Sequence, residues 1–134
     1  MRIAAMAAGA VGSYFGGRLQ AAGHDVAYIA RRANLEALKK DGLKIQSVHG
    51  DLHLPKVFAT PDPKEVGPVD IVLFAVKLWD TETAAELTKP MIGPNTRVIT
   101  LQNGVDSYER VSAILGKQHV IPGTAYIEIG RAHV

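Results

Sequence analysis

Apolar positions along this chain keep two rhythms. Continuous apolar runs at Ile3–Met6, Val26–Ala30, Val69–Val76, Arg97–Leu101 and Val120–Ile127 read as strands. Between them, apolar residues three or four apart predict helices over Ala10–Ala22, Ala33–Asp41, Glu82–Met91 and Val105–Leu115. Gly23, Gly42 and Gly116 follow three of these helices, where a left-handed residue closes the last turn. Asp80 or Thr81 is placed to cap the third. Two extended pieces, Leu43–Val48 and Leu52–Phe58, flank His49-Gly50-Asp51 and predict a hairpin. Pro61-Asp62-Pro63 predicts a turn leading into a short helical piece, and Gly93-Pro94-Asn95 a loop.

Strands alternating with helices predict an α/β fold, a Rossmann-like doubly wound and mainly parallel sheet. Val69–Val76 (VDIVLFAV) has the unbroken apolar character of a strand covered on both faces. Right-handed crossovers then bring the turns after Met6, Ala30, Val76 and Leu101 to one edge, where such sheets bind ligands. No internal repeat, low-complexity segment or interdomain linker interrupts the pattern over residues 1–127.

Composition narrows the class. The chain has 134 residues, 47% of them hydrophobic, and a mean hydropathy of +0.06, as expected of one globular domain. Its formal net charge of +2 is scattered rather than clustered, so no nucleic-acid partner is expected. It contains no cysteine, which excludes disulfides and thiolate chemistry. No apolar run nears the roughly 20 residues that span a bilayer, and Ile3–Met6 is too short for a secretory core. A cytoplasmic location with no membrane partner is the expectation.

The chemistry concentrates in the first strand–helix–strand unit, MRIAAMAAGAVGSYFGGRLQAAGHDVAYIARR. Its turn, Ala7-Ala8-Gly9-Ala10-Val11-Gly12, has the spacing of a dinucleotide-binding loop, with alanine in the first glycine position. The free N–H groups of the first helical turn and the helix dipole attract a pyrophosphate there. Gly9 lets the backbone approach the phosphates and Gly12 lets helix and strand pack closely. Ala7 costs stability only if that position needs a positive φ.

A carboxylate about 20 residues past the turn marks a ribose with a free 2′-hydroxyl. Arg31 and Arg32 hold that place here, and no acid follows until Glu36. A guanidinium pairs with a 2′-phosphate, so the pattern points to NADP(H) rather than NAD(H). Lys77, directly after a buried strand, faces the ligand edge, where it can donate to a ribose hydroxyl or to a substrate carbonyl or carboxylate. Asn103, in Gln102-Asn103-Gly104, offers donor and acceptor on the same edge, although Asn-Gly is also a common turn. The histidines form no site: His49 and His53 on extended chain lie about 13 Å apart, and His24, His119 and His133 lack ligand-like neighbours. No metal is expected. Tyr14, Phe15 and Leu19 lie at helical spacing and are expected in the core.

Three stretches, GAVGSYFGGRLQAAGHDVAYIARR, VDIVLFAVKLWDTETA and ITLQNGVDSYERV with GTAYI after it, together resemble the N-terminal half of the 2-dehydropantoate 2-reductases (ketopantoate reductases). The resemblance runs from Met1 to about Ile127. It implies NADPH-dependent reduction of 2-dehydropantoate to pantoate in pantothenate and coenzyme A biosynthesis, with a small 2-oxo acid as substrate. It implies that Arg31 meets the 2′-phosphate and that Lys77 and Asn103 sit near nicotinamide and substrate. It also implies a second, mostly helical domain that carries the general-acid lysine and most of the substrate pocket. This chain ends before such a domain, so the fragment alone is expected to be inactive. Homo-oligomer formation is left open to the full-length protein. The resemblance stops at Glu128–Val134 (EIGRAHV), which back-translates in frame to a common sequencing-adapter stretch; a non-native or truncated tail is the expectation. Two alternatives stay open: a non-catalytic nucleotide-sensing module, and a dehydrogenase of another 2-oxo or hydroxy acid.

Overall fold

In the computed structural model the first run of the chain forms β1 (Arg2–Met6), α1 (Ala10–Ala21) and β2 (Asp25–Ile29). The structure describes residues 1–48, 50–76, 80–101, 105–122 and 131–133, with backbone only for 105–106, 122 and 131–133. Then follow α2 (Arg32–Asp41), β3 (Leu43–Gln46), β4 (Leu52–Leu54), β5 (Phe58–Thr60), β6 (Val69–Phe74) and α3 (Thr81–Thr88). The chain continues through β7 (Ile92–Thr100), α4 (Val105–Leu115), β8 (Val120–Pro122) and β9 (Arg131–His133). Six strands form one parallel sheet in the order β5-β2-β1-β6-β7-β8, the doubly wound arrangement expected of the sequence.

Each face of this sheet has its own core. On one side Val72, Phe74, Val98 and Val120 pack under Ala84, Ala85, Met91, Val111 and Leu115. On the other, Ile3, Ala5, Val26 and Tyr28 meet Tyr14 and the small-sheet residues Leu43 and Ile45. Tyr14 is buried and stacks edge-on to half-buried Phe15, their ring centroids 5.5 Å apart. Leu19 is half-buried in the same cluster, so all three aromatic and aliphatic positions of α1 join the core.

Helix α1 contains three glycines, each disfavouring an isolated helix by about 1 kcal/mol relative to alanine. Tertiary packing explains two of them. A Cβ on Gly16 would lie 3.0 Å from the Tyr28 ring, and one on Gly17 would lie 2.6 Å from the Ile45 side chain. The helix is thus clamped between the main sheet and a second, three-stranded antiparallel sheet, β4-β3-β9.

Four local expectations change. The hairpin is shorter than its pattern, since Pro55 follows β4 and lacks a ladder donor. Phe58, expected at the end of the hairpin, instead opens β5, which joins the main sheet beside β2. Gly93-Pro94-Asn95 is part of β7 rather than a loop: Val69 pairs with Ile92 and Ile71 with Arg97, so the residues between are bulged out of register. The third helix ends at Thr88 and tightens into a 3₁₀ turn over Lys89–Met91, because Pro90 has no N–H for the α ladder. Asp80 occupies the N-cap position of α3 without a side-chain cap bond. Asp62 caps the short 3₁₀ turn Pro63–Glu65, accepting from the Lys64 N–H at 3.0 Å.

Candidate functional site: the carboxyl edge of the sheet

The parallel register aligns the strand ends. Met6 pairs with Ile29 and with Phe74, and Phe74 pairs with Thr100. The turn Ala7–Gly12, the Ala30–Arg32 segment, Val76 and Leu101 therefore leave the sheet on one edge. Lys77 and Asn103 follow on from β6 and β7 but lie outside the described residues.

The first turn is tied down by its neighbours. The Ala8 N–H donates to the Ile29 carbonyl at 2.8 Å, and the Ala75 N–H donates to the Met6 carbonyl at 2.6 Å. The first intrahelical bond of α1 runs from the Ser13 N–H to the Gly9 carbonyl at 2.9 Å. The N–H groups of Ala10, Val11 and Gly12 precede it and have no helical acceptor. Of the predicted loop, Ala8 thus gives its N–H to β2. Ala7 does not adopt a positive φ, so alanine in the first glycine position carries no left-handed strain.

The glycines separate by role. A Cβ at Gly9 would meet nothing within 4 Å. One at Gly12 would overlap the Ala7 carbonyl oxygen. Gly12 is required by the protein's own packing; at Gly9 the bare backbone faces open space into which a ligand can come. Such an opening at a helix N-terminus fits a pyrophosphate.

The end of β2 is basic. Arg31 is the N-cap of α2 and Arg32 its first residue; both are exposed, and the first turn of α2 carries no acid. Cations at the positive end of a helix dipole are unfavourable unless an anion joins them. Arg32 also holds a left-handed φ of 57°, uncommon for a residue other than glycine and found mostly at turns and functional loops. Neither this conformation nor the Gly16-Gly17 clamp was foreseen from sequence; a glycine pair inside a helical pattern is the signal that would have marked the clamp.

Two histidines lie against backbone carbonyls. His119 Nδ1 lies 2.9 Å from the Thr96 carbonyl and His53 Nε2 lies 3.1 Å from the Asp41 carbonyl. His49 lies outside the described residues. Among the described residues no three His, Cys, Asp or Glu side chains gather to hold a metal, and no helix is long and apolar enough to cross a membrane. A cleft at the opposite edge of the sheet, between Arg2, Asp70, Gly93 and Thr96, has its polar groups bonded internally: the Arg2 N–H to Asp70 at 2.8 Å and the Gly93 N–H to Thr96 Oγ1 at 2.8 Å.

Six parallel strands, helices on both faces and an open helix N-terminus at the carboxyl edge define a Rossmann-like α/β domain. The chain belongs to the ketopantoate reductase PanE/ApbA family, whose model matches residues 3–133. It is 32% identical to the 2-dehydropantoate 2-reductase of Nostoc sp. over 94% of its own length, and 35% identical to the uncharacterized oxidoreductase YkpB of Bacillus subtilis over 96%. The crystal structure of 2-dehydropantoate 2-reductase from Geobacter metallireducens superimposes with a TM-score of 0.89 at 38% identity, covering 99% of this chain. A D-mandelate dehydrogenase solved with NADH and anilino(oxo)acetate matches at 25% identity and a TM-score of 0.82. The chain spans 39% of the Nostoc protein, 42% of YkpB and 46% of the Geobacter structure.

Proposed function

We propose that this chain is the NADPH-binding portion of a 2-dehydropantoate 2-reductase. The observation that carries the reading is the open corner at Gly9, with exposed Arg31 at the end of the neighbouring strand. In this reading the N–H groups from Gly9 to Gly12 hold the pyrophosphate, and Ala7 and Ala8 shape the corner. The Arg31 guanidinium pairs with the 2′-phosphate, and Lys77 and Asn103 orient nicotinamide and substrate. When bound, NADPH supplies the hydride that reduces the ketone of a small 2-oxo acid. Family membership supports the reaction class, and the length of the relatives supports placing the proton donor and most of the substrate pocket beyond this chain.

The test is a titration of the purified 134-residue chain with NADPH and with NADH. Saturable NADPH binding, tighter than NADH and weakened by Arg31→Ala, is the expected result. No binding, or no preference between the coenzymes, overturns it. Ketopantoate reduction by this chain alone would overturn the assignment of the proton donor to another part. A second reading, reduction of a different 2-oxo acid, is favoured by the likeness to D-mandelate dehydrogenase solved with NADH. Comparing ketopantoate with aryl 2-oxo acids on a longer form of the protein separates the two.

A further inference from the structure

One peptide group joins three strand ends at the carboxyl edge. The Ile29 carbonyl accepts from the Ala8 N–H at 2.8 Å, and the Ala30 N–H, in the same peptide unit, donates to the Thr60 carbonyl at 3.1 Å. The last rung of β2 is thus held by the first turn on one side and by β5 on the other. Arg31 is the next residue; it is exposed and makes no side-chain cap bond to α2. The backbone that delivers it therefore sets the space its guanidinium can reach. The β5 side of this rung needs support of its own. β5 is three residues long and lies at the edge of the sheet, and Pro61 directly after it has no N–H. The Thr60 side chain supplies that support. Thr60 is 3% exposed, and its Oγ1 accepts from the Asp62 N–H at 3.2 Å and donates to the Glu65 carboxylate. With Asp62 capping the 3₁₀ turn Pro63–Glu65, these bonds close residues 60–65 into one compact turn.

We propose that Thr60 is a positioning residue for coenzyme choice. Its hydroxyl, bonded to Glu65 and to the Asp62 N–H, fixes the end of β5 and, through the Ala30 N–H, the place of Arg31 against a 2′-phosphate. The proposal rests on the reading of Arg31 given above and adds the residue that aims it. A guanidinium–phosphate contact depends on direction as well as charge. Loosening the rung therefore lowers discrimination without removing the cation. A coenzyme without the 2′-phosphate does not call on Arg31 and is indifferent to Thr60.

The test is a titration of NADPH and NADH against the 134-residue chain and its Thr60→Val variant, which keeps the branched shape and the backbone carbonyl but has no hydroxyl. The NADPH dissociation constant should rise about fivefold, the share of one net hydrogen bond, with that for NADH unchanged. Any loss of folded protein scales both affinities alike, so their ratio reads the placement of Arg31 and not stability. Thr60→Ser, which retains the hydroxyl, should restore the ratio. In an Arg31→Ala background Thr60→Val should leave the ratio unchanged, because the residue it acts through is gone. If Thr60→Val folds poorly, Glu65→Ala, at an exposed position, takes its place. Losing a negative charge would by itself favour an anion, so a fall in NADPH preference there reads the lost hydrogen bond. An unchanged ratio in Thr60→Val, an equal shift in both Arg31 backgrounds, or an unchanged or raised preference in Glu65→Ala overturns this proposal alone. No preference for NADPH in the unsubstituted chain overturns the coenzyme reading as well.

Discussion

Gly12 sits against the Ala7 carbonyl oxygen so closely that no Cβ fits between them, whereas Gly9, three residues earlier, has nothing within 4 Å of the same position. The two glycines of one loop therefore respond differently to alanine. Gly12→Ala forces the turn away from α1 and is expected to lower stability by about 1–3 kcal/mol, the usual cost of overpacking. Gly9→Ala is expected to leave the melting temperature within a degree or two, of the order set by substitutions away from packed sites, and to weaken NADPH binding. Thermal melts with coenzyme titrations of both variants check this. Equal loss of stability in the two would remove the distinction.

The exposed Arg31 side chain makes no cap bond to α2, and the carbonyl that accepts from the Leu35 N–H belongs to the backbone, so truncating the side chain should leave the fold alone. A charge-assisted contact contributes about 1.5–3 kcal/mol, so Arg31→Ala should weaken NADPH binding by roughly 10- to 100-fold with little change for NADH. Arg31→Glu should invert the preference by repelling the 2′-phosphate. Arg32→Gly relieves a left-handed φ and should raise the melting temperature slightly.

The α3–α4 contact contains a bidentate pair, with the Arg110 Nε donating to Glu82 at 2.6 Å. Hydrogen bonding to the Arg110 guanidinium holds the Glu82 carboxyl below its ordinary range. A carboxyl whose folded pKa is depressed adds stability above its unfolded pKa of about 4.3 and loses it as pH falls through the folded value. Glu82→Gln should therefore lower the melting temperature at pH 7 and leave it nearly unchanged near pH 3. Melts from pH 3 to 7 read the difference, and a constant gap at all pH values would refute it.

Tyr28, fully buried, donates its hydroxyl to Gln20 Oε1 at 2.8 Å, and burial holds the phenol protonated well above its usual range. Tyr28→Phe leaves the Gln20 acceptor unpaired at the α1–β2 contact and should cost about 1 kcal/mol. Chemical denaturation of the variant checks it; the loss should be the same at pH 7 and pH 9, because the phenol does not ionise in that range.

The first strand, turn and helix were legible in the sequence because their parts are local. The strand, turn and helix of Arg2–Ala21 are set by apolar spacing and small residues within a few positions, and Arg31 follows β2 directly. Lys77 and Asn103 lie outside the described residues, and their roles stay proposals. What was misread depended on partners far away. Phe58 looked like the end of the hairpin until β2 claimed it, and Gly93-Pro94-Asn95 looked like a loop until β6 drew it into a bulged strand.

By itself the sequence determined the alternation of strands and helices, the bare corner at the start of α1 and the positive charge after β2, since each follows from the chemistry of neighbouring residues. Only the tertiary structure decided that β6 lies beside β1, that Gly16 and Gly17 clamp α1 between two sheets, that Ala8 gives its N–H to Ile29, and that Ile121 is exposed while Val120 is buried. Those outcomes join residues distant in the chain, and their energies come from close packing and paired hydrogen bonds that no local pattern encodes.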